Sequence, residues 1–200
     1  MGIFHSLKGA IVTGAKNVLL SKLVRKHPVI VKDIESNLLL GKHVLITGGN
    51  SGIGYAIAKK MLESGATVTI LGRSKEKTER AAKELGCSYL IEDVSLTQHL
   101  ISDLLVFLKE HNVDILVNSA GVLDKEPWLE KTPEGFDKVM NTNLKAVYFL
   151  CQTLANDMIK KNIKGHILNI SSSSSQRPSW GPYQLSKRAL NGLTLGFAQR

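Results

Sequence analysis

The sequence predicts an α/β protein built as a Rossmann-like, doubly wound parallel sheet. Two observations carry this. Short β-branched runs alternate with longer amphipathic stretches from Gly41 onward, and a glycine-rich turn follows the first of those runs. A chain of 200 residues also fits one domain on the usual prior of roughly 100–200 residues each.

Residues 1–40 stand apart as an N-terminal extension. Ile3, Phe4, Leu7, Ile11, Val18, Leu19 and Leu23 recur near helical spacing, while Lys8, Lys16, Lys22, Arg25 and Lys26 fall elsewhere. The pattern predicts a basic amphipathic helix ending before Pro28. Such a helix suits an anionic membrane surface through residues 3–26, and equally suits packing on the domain or on a second subunit. It lacks the continuous apolar core of a secretory signal.

Residues 41–200 form the expected dinucleotide-binding domain. The runs at 43–47, 67–71, 89–91, 115–118 and 166–170 are expected to be buried strands, because their apolar character is nearly continuous. Helices are expected near 53–64, 75–85, 97–111 and 134–160. A last helix over 182–200 is expected still to be running at Arg200, with no capping glycine or proline to close it, so the chain is expected to be a fragment.

Composition narrows the function. The net charge of +9 invites a nucleic-acid partner, but the basic residues are scattered and aromatic residues make up only 6% of the chain. Little is left for base stacking, and no nucleic-acid partner is expected. No apolar run reaches the ~18 residues that a membrane span needs. Cys87 and Cys151 lie far apart, which fits free thiols in a reducing, cytoplasmic setting. The six histidines form no close pair at metal-ligand spacing, so no metal site is expected. Serines without a nucleophile elbow argue against a hydrolase.

The first strand leads into Thr47-Gly48-Gly49-Asn50-Ser51-Gly52-Ile53-Gly54 and then into a helix. Glycines there let the backbone turn tightly and approach a pyrophosphate, and the helix N-terminus offers free N–H groups to the anion. At the end of the second strand a carboxylate favours the free ribose hydroxyl of NAD, and arginine favours the phosphate of NADP. Leu71-Gly72-Arg73-Ser74 carries no acid, and Arg73 predicts a preference for NADP(H) over NAD(H).

Tyr183 and Lys187 stand four residues apart on a predicted helix, one turn apart on one face. A tyrosine ordinarily loses its proton near pH ~10, so acid-base work near neutrality needs a neighbouring positive charge. Lys187 supplies one.

The glycine turn, Asn118-Ser119-Ala120-Gly121, Asn143, the serine run after the fifth strand and Tyr183-x-x-x-Lys187 occur in the order of the short-chain dehydrogenase/reductase family. The sequence resembles that family over roughly residues 41 to 200. The resemblance implies hydride transfer between NADP(H) and a small-molecule carbonyl or alcohol substrate. Tyr183 would be the proton donor and acceptor, and Lys187 would hold the nicotinamide ribose and lower the tyrosine's proton affinity. Asn143 would support a water-linked relay. Ser172 would hydrogen-bond the substrate oxygen, with Ser171, Ser173 and Ser174 as alternatives. Asp93, Val94, Asn118, Ala120 and Gly121 would join Gly48, Asn50, Ser51, Gly52, Ile53, Gly54 and Arg73 along the cofactor.

The gap from Ser172 to Tyr183 is shorter than is usual in the family, so the loop between them must be compact, and Ser119 stands where a second asparagine is more usual. The resemblance also implies a homo-oligomer, and further C-terminal strands beyond Arg200 that the sheet is expected to lack. The rival expectation is a non-catalytic NADP-binding regulatory or interaction protein. An epimerase or dehydratase on the same scaffold fits less well, because Gly48, Gly52 and Gly54 give G-x-x-x-G-x-G rather than G-x-x-G-x-x-G.

Overall fold

The structure is a computed structural model and describes residues 37–124 and 126–199. The N-terminal helix expected over residues 3–26 lies outside the described residues.

Five strands alternate with helices: β1 (His43–Thr47), α1 (Gly52–Glu63), β2 (Thr67–Gly72), α2 (Lys75–Leu85), β3 (Ser88–Ile91), α3 (Thr97–Glu110) and β4 (Ile115–Asn118). These are followed by α4 (Pro133–Met140), α5 (Ala146–Lys160), β5 (His166–Asn169) and α6 (Pro182–Ala198). All pairings are parallel, in the order β3-β2-β1-β4-β5. The chain builds outward from β1 in one direction and then returns to β1's other side with β4. The strand order therefore reverses between β1 and β4, and a crevice opens at their C-terminal ends, where ligands bind in this architecture.

Alternation along the strands sends side chains to two cores. Val44, Ile46, Val68, Ile70, Ile115 and Val117 meet Ala58 of α1 and Ala81 and Ala82 of α2. On the other face Leu45, Leu71 and Leu116 meet Leu100, Leu104 and Leu108 of α3 and Leu150 and Leu154 of α5. Leu45 and Leu116 are wholly inaccessible, and burying a side chain of this kind contributes about 1.5–3 kcal/mol. Small residues on α1 and α2 let those helices lie close to the sheet.

Two expectations need correction. The stretch 134–160 is not one helix: a π-helical turn at Asn141–Lys145 separates α4 from α5. Such turns insert a residue and re-aim side chains, often at functional sites. The last helix is described over Pro182–Ala198, with the N–H of Gln199 returning to the carbonyl of Gly196, and its expected run at Arg200 lies outside the described residues. Strands β3 and β5 are less buried than expected because they flank the sheet, with Tyr89 and Leu168 exposed. Both cysteines are free thiols, Cys151 buried and Cys87 half-buried.

Candidate active site

The floor of the crevice begins at Thr47. Its buried hydroxyl accepts hydrogen bonds from the backbone N–H groups of Ser119 and Ala120, each at 3.1 Å, which ties the loop after β4 to the end of β1. Gly48 follows with φ +68°, and a Cβ there would stand 2.8 Å from Cα of Ala120. A Cβ on Gly54 would stand 2.3 Å from the carbonyl oxygen of Gly48. Any side chain at either position would push the turn away from the sheet.

Helix α1 starts from this turn at Ser51 with no side-chain cap and no acid in its first turn. Its leading N–H groups therefore keep both their hydrogen-bonding capacity and the positive end of the helix dipole. Asn50 is turned aside to donate to Thr78 Oγ1 at 2.9 Å, which anchors the turn to α2.

A cleft of about 490 Å³ opens above this floor. It is lined by Gly48, Asn50, Ser51, Gly52, Ile53, Gly54, Arg73, Asp93, Val94, Ala120, Gly121, Tyr183 and Lys187, all expected from the sequence. Asn118, Asn143 and Ser172 are not among its lining residues. Asn118 is buried beneath it and donates to Asn169 Oδ1 at 2.8 Å, joining β4 to β5.

At one end Arg73 lies 3.9 Å from Asp93, with 62% of its side chain exposed. An ion pair so long and so wet holds the guanidinium only weakly. Asp93 is better fixed, because its Oδ1 accepts from the backbone and the hydroxyl of Ser95 at 2.9 and 2.7 Å. Lys77 and Glu92 also line this end. Sequence reading missed both: a lysine at the start of a helix carries no motif, although its place three residues after the N-cap Ser74 turns it toward the same strand end.

At the other end Tyr183 and Lys187 stand on one face of α6. The Lys187 ammonium lies 6.0 Å from the centre of the Tyr183 ring and donates to the carbonyl of Ile170 at 2.7 Å. Lys187 is only 6% exposed and faces no carboxylate among the described residues. Burial holds its pKa below the usual lysine value. The Tyr183 hydroxyl has no hydrogen-bond partner among the described residues, so it is available to a ligand.

Asn143 sits in the π-helical turn with its side chain wholly buried. Its Oδ1 accepts from the N–H of Val122 at 2.8 Å, and its Nδ2 donates to the carbonyl of Val122 at 2.9 Å and to Ser186 Oγ at 3.3 Å. Ser186 in turn donates to the carbonyl of Tyr183 at 2.7 Å. The amide is thus fully committed as a brace between the loop after β4 and the first turn of α6. Asn143→Ala strands both polar groups of Val122 and is expected to cost about 2–4 kcal/mol, lowering Tm by roughly 5–15 °C in a thermal melt. A shift under about 2 °C would show that the brace is dispensable.

The serine run folds into a short 3-10 turn, Ser173–Gln176, capped by Ser172. Ser171 lines the cleft, but its hydroxyl donates to Asn191 Oδ1 at 2.6 Å. Ser172 Oγ accepts from the N–H of Ser174 at 3.2 Å and lies 2.8 Å from Ser174 Oγ. Ser175 donates to the carbonyl of Ser172 at 2.7 Å, and this compact turn absorbs the short distance to Tyr183.

Comparison with known proteins settles the lineage. The short chain dehydrogenase family profile matches residues 42–200. The chain belongs to the short-chain dehydrogenase family. Among its relatives, a 3-oxoacyl-acyl-carrier-protein reductase of Chlamydia trachomatis is 35% identical over 82% of this chain and 68% of its own length. A gluconate 5-dehydrogenase of Gluconobacter oxydans is 34% identical over 80% of this chain and 65% of its own length. Among solved structures, a metagenomic short-chain oxidoreductase in complex with NADP superposes with a TM-score of 0.74, at 33% identity, covering 80% of this chain and 75% of that one. The alignments to the two enzymes thus span about two thirds of their lengths. These relatives are named reductases and dehydrogenases, which places the short-chain dehydrogenase chain among the oxidoreductases.

Proposed function

We propose that this chain binds NADP(H) in the 490 Å³ cleft and interconverts a carbonyl and an alcohol, with Tyr183 as the proton donor and acceptor. The observation that carries the reading is the convergence of Tyr183 and Lys187 on the same cleft that the Gly48–Gly54 turn floors. The fit to a dinucleotide rests on that turn, where a Cβ at Gly48 or Gly54 would collide with the backbone of Ala120 or of Gly48, so that glycine keeps the turn tight enough for its backbone to approach a pyrophosphate, and on the uncapped start of α1.

NADPH, when bound, supplies a hydride to the carbonyl carbon. Tyr183 donates its proton to the carbonyl oxygen as negative charge develops there. Lys187, buried and without a carboxylate partner, offers its charge to the phenolate that remains. Of the serine run, Ser172 is assigned to steady the substrate oxygen on the availability of its hydroxyl, although Ser171 is the member that lines the cleft. Ser171 has committed its proton to Asn191, whereas the Ser172–Ser174 hydroxyl pair keeps one O–H without an acceptor among the described residues.

Arg73 and Lys77 support NADPH over NADH, because both reach the cleft at the end of β2, where the adenosine ribose lies in this fold. Arg73→Glu is expected to raise the Kd for NADPH by about tenfold or more, and to leave NADH within about threefold. Fluorescence titration with both nucleotides tests this. Unchanged NADPH affinity in the variant would remove Arg73 from the phosphate site, and binding of neither nucleotide by the unmutated chain would sink the whole reading.

A further inference from the structure

A second, smaller hollow of about 170 Å³ lies across Tyr183 from the nucleotide cleft, and Tyr183 and Leu123 line both. Its other walls are Asp124, Glu126, Lys131, Gly181 and Gln184, with Trp180 alongside. This is a polar wall beside a proton-donating group, in a space fit for a few heavy atoms. The loop after β4 and the start of α6 build it together.

The charges on this wall are arranged rather than scattered. Lys131 bonds Asp124 Oδ1 and the carbonyl of Glu126, and the side chains of Lys131 and Asp124 are only 18% and 11% exposed. Glu126 spends both carboxylate oxygens on Thr132, on its N–H at 2.9 Å and its hydroxyl at 3.1 Å, where it caps α4. That leaves Asp124 Oδ2, which has no hydrogen-bond donor among the described residues. It stands 3.1 Å from where a Cβ on Gly181 would be, with Gln184 Oε1 at 3.6 Å from the same point. The missing side chain at Gly181 gives both oxygens a common open space.

A half-buried acceptor fixed by a cation selects ligands that bring a donor, because a bound analogue without one displaces the carboxylate's water and leaves it unpaired. Among the described residues of this wall two carboxylates stand against a single ammonium, which disfavours an anionic ligand.

We propose that Asp124, fixed by Lys131, is a specificity-determining residue that accepts a hydroxyl hydrogen bond from a small, neutral hydroxycarbonyl substrate seated in the 170 Å³ hollow. This rests on the assignment of Tyr183 as the proton donor. The substrate carbonyl meets Tyr183 Oη, and a hydroxyl near it reaches Asp124 Oδ2 and Gln184.

NADPH consumption by the full 200-residue chain tests this, with three probes: erythrulose as a neutral hydroxyketone, diacetyl as a compact carbonyl without hydroxyls, and a keto-gluconate as an anionic polyol. Asp124→Asn and, independently, Gln184→Leu are expected to lower kcat/KM for erythrulose by about tenfold, mostly through KM. Diacetyl reduction and NADPH Kd should change by less than about twofold in both variants. Keto-gluconate is expected to be the poorest of the polyol probes in the unmutated chain, and to improve relative to erythrulose in Asp124→Asn.

Equal losses for erythrulose and diacetyl would make Asp124 a structural residue and overturn the proposal. Reduction of diacetyl without reduction of erythrulose, or preference for keto-gluconate, would overturn the substrate class while leaving Tyr183's role intact. Failure of every probe, or failure to bind NADPH, would overturn the catalytic reading and this inference with it.

Discussion

Tyr183→Phe is expected to lower kcat by about 10²–10⁴ for any carbonyl the chain reduces, the span by which a positioned general acid accelerates such a step. The same variant should bind NADPH with a Kd within about twofold of the parent, because the phenol oxygen makes no hydrogen bond that holds the cleft together. The ring remains, so its packing beside Leu123 and Gly181 is kept. Stopped-flow reduction and a binding titration on the same preparation separate the two effects. A variant that kept turnover would move proton donation to another group. One that lost NADPH affinity as steeply as turnover would make Tyr183 a binding residue.

The large elements of this fold were legible because they depend on local chemistry. Each strand core sits where the β-branched runs placed it, and the glycine turn follows β1 for the steric reason that Gly48 and Gly54 show: no side chain fits there. Tyr183 and Lys187 fall on one helix face because four residues make about one turn. What escaped were features set by contacts distant in sequence. The π-helical turn at Asn141–Lys145 has no composition of its own. It forms where Asn143 can grip Val122, twenty-one residues earlier, and reach Ser186, forty-three residues later.

The same holds for individual side chains. Asn143 reads by resemblance as the support of a water-linked relay, and the sequence does not show that its side-chain amide is spent on Val122 and Ser186. Thr47 reads as the last residue of a strand, and its role as a double acceptor emerges only when the loop after β4 is placed beside it. In the serine run, the order of residues gives no means to tell one hydroxyl from the next. Asn191, sixteen or more residues away, makes the distinction by binding Ser171 and Ser175 and leaving the Ser172–Ser174 pair. Asp124 had no signal at all, since an acid after a strand is ordinarily a solvated loop residue.

Lys187→Met is expected to lower kcat by about 10²–10³, the cost of removing one preorganised charge from a site where negative charge develops. Its effect on stability should have the opposite sign. The ammonium is buried, faces no carboxylate among the described residues, and has a pKa held below the usual lysine value by burial alone. Between that lowered value and the ~10.5 of an exposed lysine, the unfolded chain binds more protons than the folded one, so Lys187 makes stability rise with pH across this window. Below the window the folded state carries the full penalty of a buried charge, at neutrality included. Met fills similar space without that charge, at the cost of leaving the Ile170 carbonyl without its donor. The variant should therefore melt at or above the parent's Tm at pH ~7, and its advantage should shrink as pH approaches ~10.5. Thermal melts at both ends of that range, beside NADPH turnover, test the two signs together. A variant that is inactive and also less stable at neutrality would mean that Lys187 serves mainly to tie α6 to β5, whereas one that is inactive and no less stable identifies a charge retained against the fold's own preference, as a functional site requires.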